Sequence, residues 1–290
     1  MLETLLPSPS GVELSSLQWL LDHHTTKESE RRQMVADLNL QAGERILDLG
    51  CGPGLWTSMF AEKVAPEGDV IGMDFAPELI DHAVSRREEQ SFRDAIHYLL
   101  GSFYQIPLRD HSVDAIFLGN CCSYVSDVVS LLTEMKRVTR TGGRVISKEF
   151  DDGATIFHPV DPYLNAKVVE GVSRTEGDGA DPEVADDQPE DPKFNSFMGR
   201  KMHGFFRKAG FDDIWTKTYA IHKVPPLGQE AKNYLQGLAK WLGVMAEPHL
   251  SEEESRSWHA AFDPSSDEYI LDREDFYVCM IEMITVGTVA

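Results

Sequence analysis

The chain predicts an α/β fold, a doubly wound and mostly parallel sheet with helices on both faces. Three observations predict it. Strand-type apolar runs alternate with helix-period segments through the first half of the chain. One strand-to-helix turn, Asp48-Leu49-Gly50-Cys51-Gly52-Pro53-Gly54, carries three spaced glycines. The next apolar run, Val70-Ile71-Gly72-Met73, ends on an acid, Asp74. Strands that alternate with helices must run parallel, because each crossover helix returns the chain to the same end of the sheet.

The elements follow in order. Ser10 and Glu13 have capping-box spacing ahead of a helix through Leu14–Leu21, and Thr25 and Glu28 repeat it ahead of Arg31–Leu38. Strand one spans Arg45–Leu49, and a helix pattern follows through Leu55, Met59, Phe60 and Val64. Pro77 suits the first turn of a helix running to about Gln90. Ile96–Leu100 and Val113–Leu118 read as strands three and four. Ser126 can cap a helix over Asp127–Arg140, which Gly142-Gly143 would end before strand five, Arg144–Phe150. The rhythm then breaks. Glu176–Pro192 holds eight acids and no base, so it has nothing to bury and predicts a surface loop. A helix over Phe197–Ala209, stopped by Gly210, leads into strand six at Phe211–His222. A second excursion, about 223–273, contains helix-like Glu230–Met245 and the acidic Ser251–Glu254. A long β-type run, Phe276–Val286, closes the count at seven strands.

Bulk properties narrow the function. The 290 residues suit one large α/β domain or two small ones, and 42% hydrophobic content is ordinary for a globular protein. No run approaches the roughly 20 apolar residues of a membrane span, and Met1–Thr4 lacks the basic start of a signal peptide. Cys51, Cys121, Cys122 and Cys279 show no metal-ligand spacing, so the expectation is a reduced, cytoplasmic protein without a metal. A net charge of -21 argues against nucleic acid and anionic membranes, whose phosphates need clustered Lys and Arg. The densest basic run, Arg200-Lys201 with Arg207-Lys208, reads as the solvated face of a helix.

The glycine turn admits two cofactors. A dinucleotide fingerprint, G-x-G-x-x-G, fails here, because Leu55 or Thr57 falls at its third glycine. Asp48 would also repel a pyrophosphate but attract a cofactor with a cationic amino group. Asp74, at the tip of the second strand, can accept both hydroxyls of an adenosine ribose. The pattern resembles the glycine motif of the class I S-adenosylmethionine (SAM)-dependent methyltransferases. Gly101–Leu108, Gly210-Phe211 and Met198-Gly199-Arg200 extend the resemblance, the last toward the subgroup acting on small molecules such as quinones and natural products.

The resemblance implies a seven-stranded sheet whose last strand is antiparallel. It implies one domain over 1–290: a helical cap at 1–42, a cofactor-binding half at 43–150, an acidic insertion at 151–196, and a C-terminal half at 197–290. The cap and the two insertions, the second at 223–273, would form a lid. The implied cofactor is SAM, with S-adenosylhomocysteine as product. Gly50, Cys51, Gly52 and Gly54 would lie against its methionine part, Asp48 near its amino group, Asp74 on its ribose and Phe75 on its adenine. Ser102, where the family commonly has Asp, would accept from the adenine amino group. Phe103 would present its N–H to an adenine ring nitrogen, and the Asn120 carbonyl would meet the SAM amino group. Candidates for proton transfer are His23, His24, Tyr124, Glu149, Asp151 and His158. Glu149 or His158 is preferred, with Tyr124 orienting a small-molecule acceptor. A SAM-binding cyclase, a non-catalytic binding module and an NAD-dependent oxidoreductase are the alternatives. The sequence leaves the oligomeric state open.

Overall fold

A computed structural model of the chain describes residues 14–177 and 194–290. Among the described residues, eight strands form one sheet: β1 (Arg45–Leu49), β2 (Asp69–Asp74), β3 (Ile96–Leu100), β4 (Val113–Gly119), β5 (Thr139–Phe150), β6 (Ile156–His158), β7 (Asp212–Lys223) and β8 (Tyr277–Thr288). The order runs β3-β2-β1-β4-β5-β8, and β7 lies beyond β8. β1 through β5 pair in parallel, while β8 runs antiparallel to β5 and β7. This is the expected architecture with one addition. The three-residue β6 pairs with the start of β8, beyond the tip of β5.

Alternation along the strands builds two apolar layers. Ile46, Phe117 and Ile146 face one cluster, which continues into α2 (Glu28–Asp37), α3 (Leu55–Val64), α6 (Pro162–Glu176), α8 (Gln229–Ala246) and α9 (Glu252–Phe262). Leu47, Ile116 and Val145 face the other, filled from α5 (Val128–Val138) and α7 (Met202–Lys208). Successive strand residues point to opposite faces, so both layers come from the same strands. α1 (Leu17–Thr26) packs on α8, and α4 (Pro77–Arg87) packs on β2 and β3.

Several boundaries differ from expectation. Ser16 caps α1, the residue before α2 is Lys27, and no Thr25–Glu28 box forms; Ser10 lies outside the described residues. Asp127, one residue after Ser126, caps α5 by accepting from the Ser130 N–H. Gly142-Gly143 sit inside β5, because the helix already ends at Val138. The insertion after β5 holds a helix, α6, with one buried face, which Asp161 caps through the N–H groups of Tyr163 and Leu164. Glu176 therefore belongs to a helix and is buried, accepting from the Ser196 N–H and Oγ at 2.9 and 3.0 Å. The remaining acids of that segment lie at 178–193, outside the described residues. Ser251 and Glu254 form a reciprocal capping box that starts α9.

Candidate cofactor and acceptor site

Gly50, Gly52 and Gly54 all take positive φ, at 71°, 52° and 75°, where a side chain is strained. Close packing adds a second constraint. A Cβ at Gly50 would stand 2.5 Å from Cys121 Sγ, and one at Gly54 would overlap the Tyr98 hydroxyl. A Cβ at Gly52 would meet Leu20 of α1 at 3.6 Å, so the N-terminal helix lies over the loop.

Two buried carboxyls flank this turn. Asp48 Oδ2 accepts from Thr57 Oγ1 at 2.5 Å. Asp74 Oδ2 accepts from the Gly52 N–H at 2.8 Å and Oδ1 from the Ala76 N–H at 3.0 Å. Burial pushes Asp48 up to about 7, with the charge on Asp74 adding to it. Burial likewise raises Asp74, against the pull of the Ala76 and Gly52 amides. No cationic side chain lies among the groups acting most strongly on either carboxyl. Their chemistry fits a ligand that brings an ammonium group and hydroxyl donors.

The tips of β4 and β5 form the adjoining wall. Asn120 has φ 57°; its N–H donates to the Lys148 carbonyl at 2.8 Å and its Oδ1 accepts from Lys148 Nζ at 2.9 Å. Glu149 points to the opposite face of β5 from Lys148. Its Oε1 accepts from the Cys122 N–H at 3.0 Å and its Oε2 from Ser123 Oγ at 3.4 Å. Burial raises Glu149 to about 7, while the Cys122 amide and Lys148 oppose it. The Tyr124 ring sits 4.9 Å from Phe194, which also neighbours Phe150 and Trp241.

Residues 47–147 match the profile of a methyltransferase domain. An uncharacterized methyltransferase of Schizosaccharomyces pombe is 36% identical over 48% of this chain, and the chain spans about half, 51%, of that relative's length. Demethylmenaquinone methyltransferase of Geobacillus stearothermophilus is 32% identical over 66% of the chain and 80% of its own length. The chain belongs to the class I SAM-dependent methyltransferase family. Its fold is shared by the YcgJ protein of Bacillus subtilis, at a TM-score of 0.54 and 18% identity over 92% of this chain and 98% of that one. The dinucleotide reading is thereby set aside.

Within this methyltransferase scaffold, the sequence-derived residues separate by position. Asp48, Gly50, Cys51, Gly52, Gly54 and Asp74 converge on the β1 and β2 tips. Phe75 follows them, half-buried. Ser102 is exposed, its Oγ accepting from the Tyr104 N–H at 3.3 Å, and half-buried Phe103 packs 4.7 Å from the Tyr104 ring. His158 is exposed on β6, opposite Tyr277, on the side of the strand away from buried Phe157; the structure does not bring it to Glu149 or Tyr124. Asp151 is held by Arg200 through two bonds of 2.6 Å. His23 and His24 are buried and donated to by Arg31, and desolvation drives both far below the usual imidazole range, His24 to about 2.

Sequence reasoning missed a buried ionic group on the α1 side of the sheet. Glu282, fully buried, holds Lys148 Nζ at 2.6 Å and Lys27 Nζ at 2.9 Å, with His23 at 3.5 Å and Arg31 at 4.0 Å. Burial opposes ionisation of Glu282, but Lys148, Lys27 and Arg31 hold it well below the carboxylate range. Burial lowers Lys148 to about 7, and the repulsion of Arg31 and Lys27 adds to the pull. The available signal was one acid inside the apolar run Met280-Ile281-Glu282-Met283-Ile284.

Proposed function

We propose that the protein transfers a methyl group from SAM to a small-molecule acceptor held beside the β4 and β5 tips. The observation that carries this reading is the pair of buried carboxyls, Asp48 and Asp74, flanking three left-handed glycines, with no cationic side chain of the described residues among the groups acting most strongly on them. An amino-acid ammonium at Asp48 and ribose hydroxyls at Asp74 meet both needs. SAM supplies an electrophilic methyl on a sulfonium that already serves as leaving group, so the chain's task is alignment. Leu100 and Tyr104, exposed beside Ser102, give an apolar rim that an adenine can cover.

On the acceptor side, half-buried Tyr124, Phe150 and Phe194, backed by buried Trp241, offer an aromatic wall that suits an apolar, ring-bearing molecule. Demethylmenaquinone methyltransferase, a relative, carries such an acceptor in its name. Glu149 fixes the turn that presents Tyr124, and with an ionisation near 7 it suits taking a proton from a hydroxyl acceptor. His158 has no part in this reading.

The test is incubation with SAM and a panel of hydroquinones and phenols, reading S-adenosylhomocysteine and methylated product by mass spectrometry. Equal amounts of both support methyl transfer. Tight SAM binding without S-adenosylhomocysteine from any acceptor favours a binding module. Failure to bind SAM refutes the reading.

A further inference from the structure

A continuous polar connection runs from the N-terminal helices to the β4 tip. Lys27, which joins α1 to α2, donates to Glu282 Oε1 at 2.9 Å and lies 4.8 Å over the Tyr234 ring. Glu282 Oε2 holds Lys148 Nζ at 2.6 Å, and the same ammonium donates to Asn120 Oδ1 at 2.9 Å. Lys27, Lys148 and Glu282 are almost wholly buried. Asn120 sits in a left-handed conformation that costs free energy unless a partner holds it. At the other end, α1 lays Leu20 over Gly52 and is fixed to α8 by the Asn233–Asp22 bond and the His23–Tyr234 stack.

We propose that Lys27, Glu282 and Lys148 form a latch that ties closure of α1 and α2 over the glycine loop to the shape of the turn at Asn120. The three act as positioning residues, since none needs to touch the reacting atoms. The proposal rests on the methyltransferase reading for its cofactor but not for its mechanics. Leu20 stands over Gly52, so cofactor exchange requires α1 to lift. Lifting α1 takes Lys27 away from Glu282. His23 of α1 and Arg31 of α2 leave with it, so Glu282 is left to Lys148, and the stronger Lys148–Glu282 attraction draws the ammonium from Asn120. The turn therefore relaxes when the roof opens. A buried ion pair is a poor way to gain stability but a good way to couple two elements, because each partner is costly to leave alone.

Hydrogen exchange on the ligand-free protein tests the latch directly, and stopped-flow release of S-adenosylhomocysteine tests its consequence. Lys27→Met should raise exchange in 17–37 and also at 119–124, and speed release by about tenfold or more, the factor equivalent to one charge-assisted contact. Lys27→Arg should restore both. Asn120→Gly tests the far end in a variant whose backbone is unstrained, and should loosen α1 without a change near it. Leu20→Ala should speed release while leaving 119–124 protected. A purely structural role predicts that Lys27→Met raises exchange evenly across the sheet, or raises it in α1 alone, with Asn120→Gly silent at α1; either result overturns the latch. If the wild-type protein fails to bind S-adenosylhomocysteine, the cofactor reading falls, and the exchange data still decide the coupling.

Discussion

SAM binding should release protons at neutral pH, and the release should vanish in Asp48→Asn. In the ligand-free protein, burial and the neighbouring Asp74 hold Asp48 at about 7. At pH 7 it is therefore about half protonated, and at pH 6 about nine-tenths. A bound ammonium favours the carboxylate, so Asp48 ionises as the cofactor arrives. The expected release is about 0.5 proton at pH 7, rising toward about 0.9 at pH 6 and fading by pH 9. Calorimetry in buffers of different ionisation enthalpy counts these protons. Asp48→Asn removes the titrating group, so its binding heats should be buffer-independent, and loss of the charge should weaken SAM by about 1.5–3 kcal/mol. Thr57→Val removes the donor at 2.5 Å that favours the anion, so its release should be larger at pH 7 than that of the wild type. S-adenosylhomocysteine should behave like SAM, and adenosine, lacking the ammonium, should release none. Buffer-independent heats with the wild type at pH 6 and 7 would refute the reasoning, whatever the affinity.

Asp74→Ala should weaken SAM by about 2–3 kcal/mol by calorimetry, since it removes a charge-assisted acceptor and frees the Gly52 amide; unchanged affinity in a folded variant would remove Asp74 from the site. Gly50→Ala should lower stability by about 1–3 kcal/mol in urea unfolding, from its 71° φ and a Cβ 2.5 Å from Cys121 Sγ; an unchanged midpoint would show that the turn yields freely. Glu149 ionises in the fold only at about 7, above its unfolded value, so its contribution to stability falls as pH rises from about 4.5 to about 7. Glu149→Gln should therefore gain on the wild type across that window, by up to about 3 kcal/mol, and parallel urea midpoints at all pH values would contradict this. Ser102→Ala should weaken SAM by about 0.5–1.5 kcal/mol and Ser102→Asp should preserve it; a neutral Ala variant would leave Ser102 as the acceptor of the Tyr104 N–H alone.

The glycine turn and its two flanking acids were legible in the sequence because their signals are local. Three glycines within five residues, an acid before them and an acid at the next strand tip are neighbours in the chain. The alternation that fixed β1 to β5 is likewise short-range. α6 escaped because its start signal, Asp161-Pro162, falls in an insertion whose acidic end, from Glu176 on, dominated the reading as loop, and α9 because its start, Ser251–Glu254, is itself acidic. The latch escaped for a different reason. Lys27 and Glu282 are 255 residues apart, and Lys148 meets them only because β8 runs antiparallel beside β5. Periodicity reports which face a side chain takes, not which distant charge awaits it there. His158 shows the converse, since it lies close to β5 in sequence yet sits on β6 with its side chain exposed.

The dipeptide Lys148-Glu149 shows how one strand sets two walls. Side chains alternate along β5, so Lys148 turns to the α1 face and Glu149 to the turn at 122–124. The assignment matches the partners on each side. The α1 face offers the carboxylate of Glu282 and the side-chain oxygen of Asn120, both acceptors for an ammonium. The opposite face offers the Cys122 N–H and the Ser123 hydroxyl, both donors for a carboxylate. A slip of β5 by one residue would set Glu149 against Glu282 and Lys148 against an N–H, leaving buried like charges and facing donors. The register that prevents it is held by seven consecutive pairs with β8, from Arg144↔Thr288 to Phe150↔Glu282. The strand that carries Glu282 into the site is thus the same strand that fixes where Lys148 and Glu149 point. Loosening β8 should therefore disturb the packing of α1 and the turn at 122–124 together.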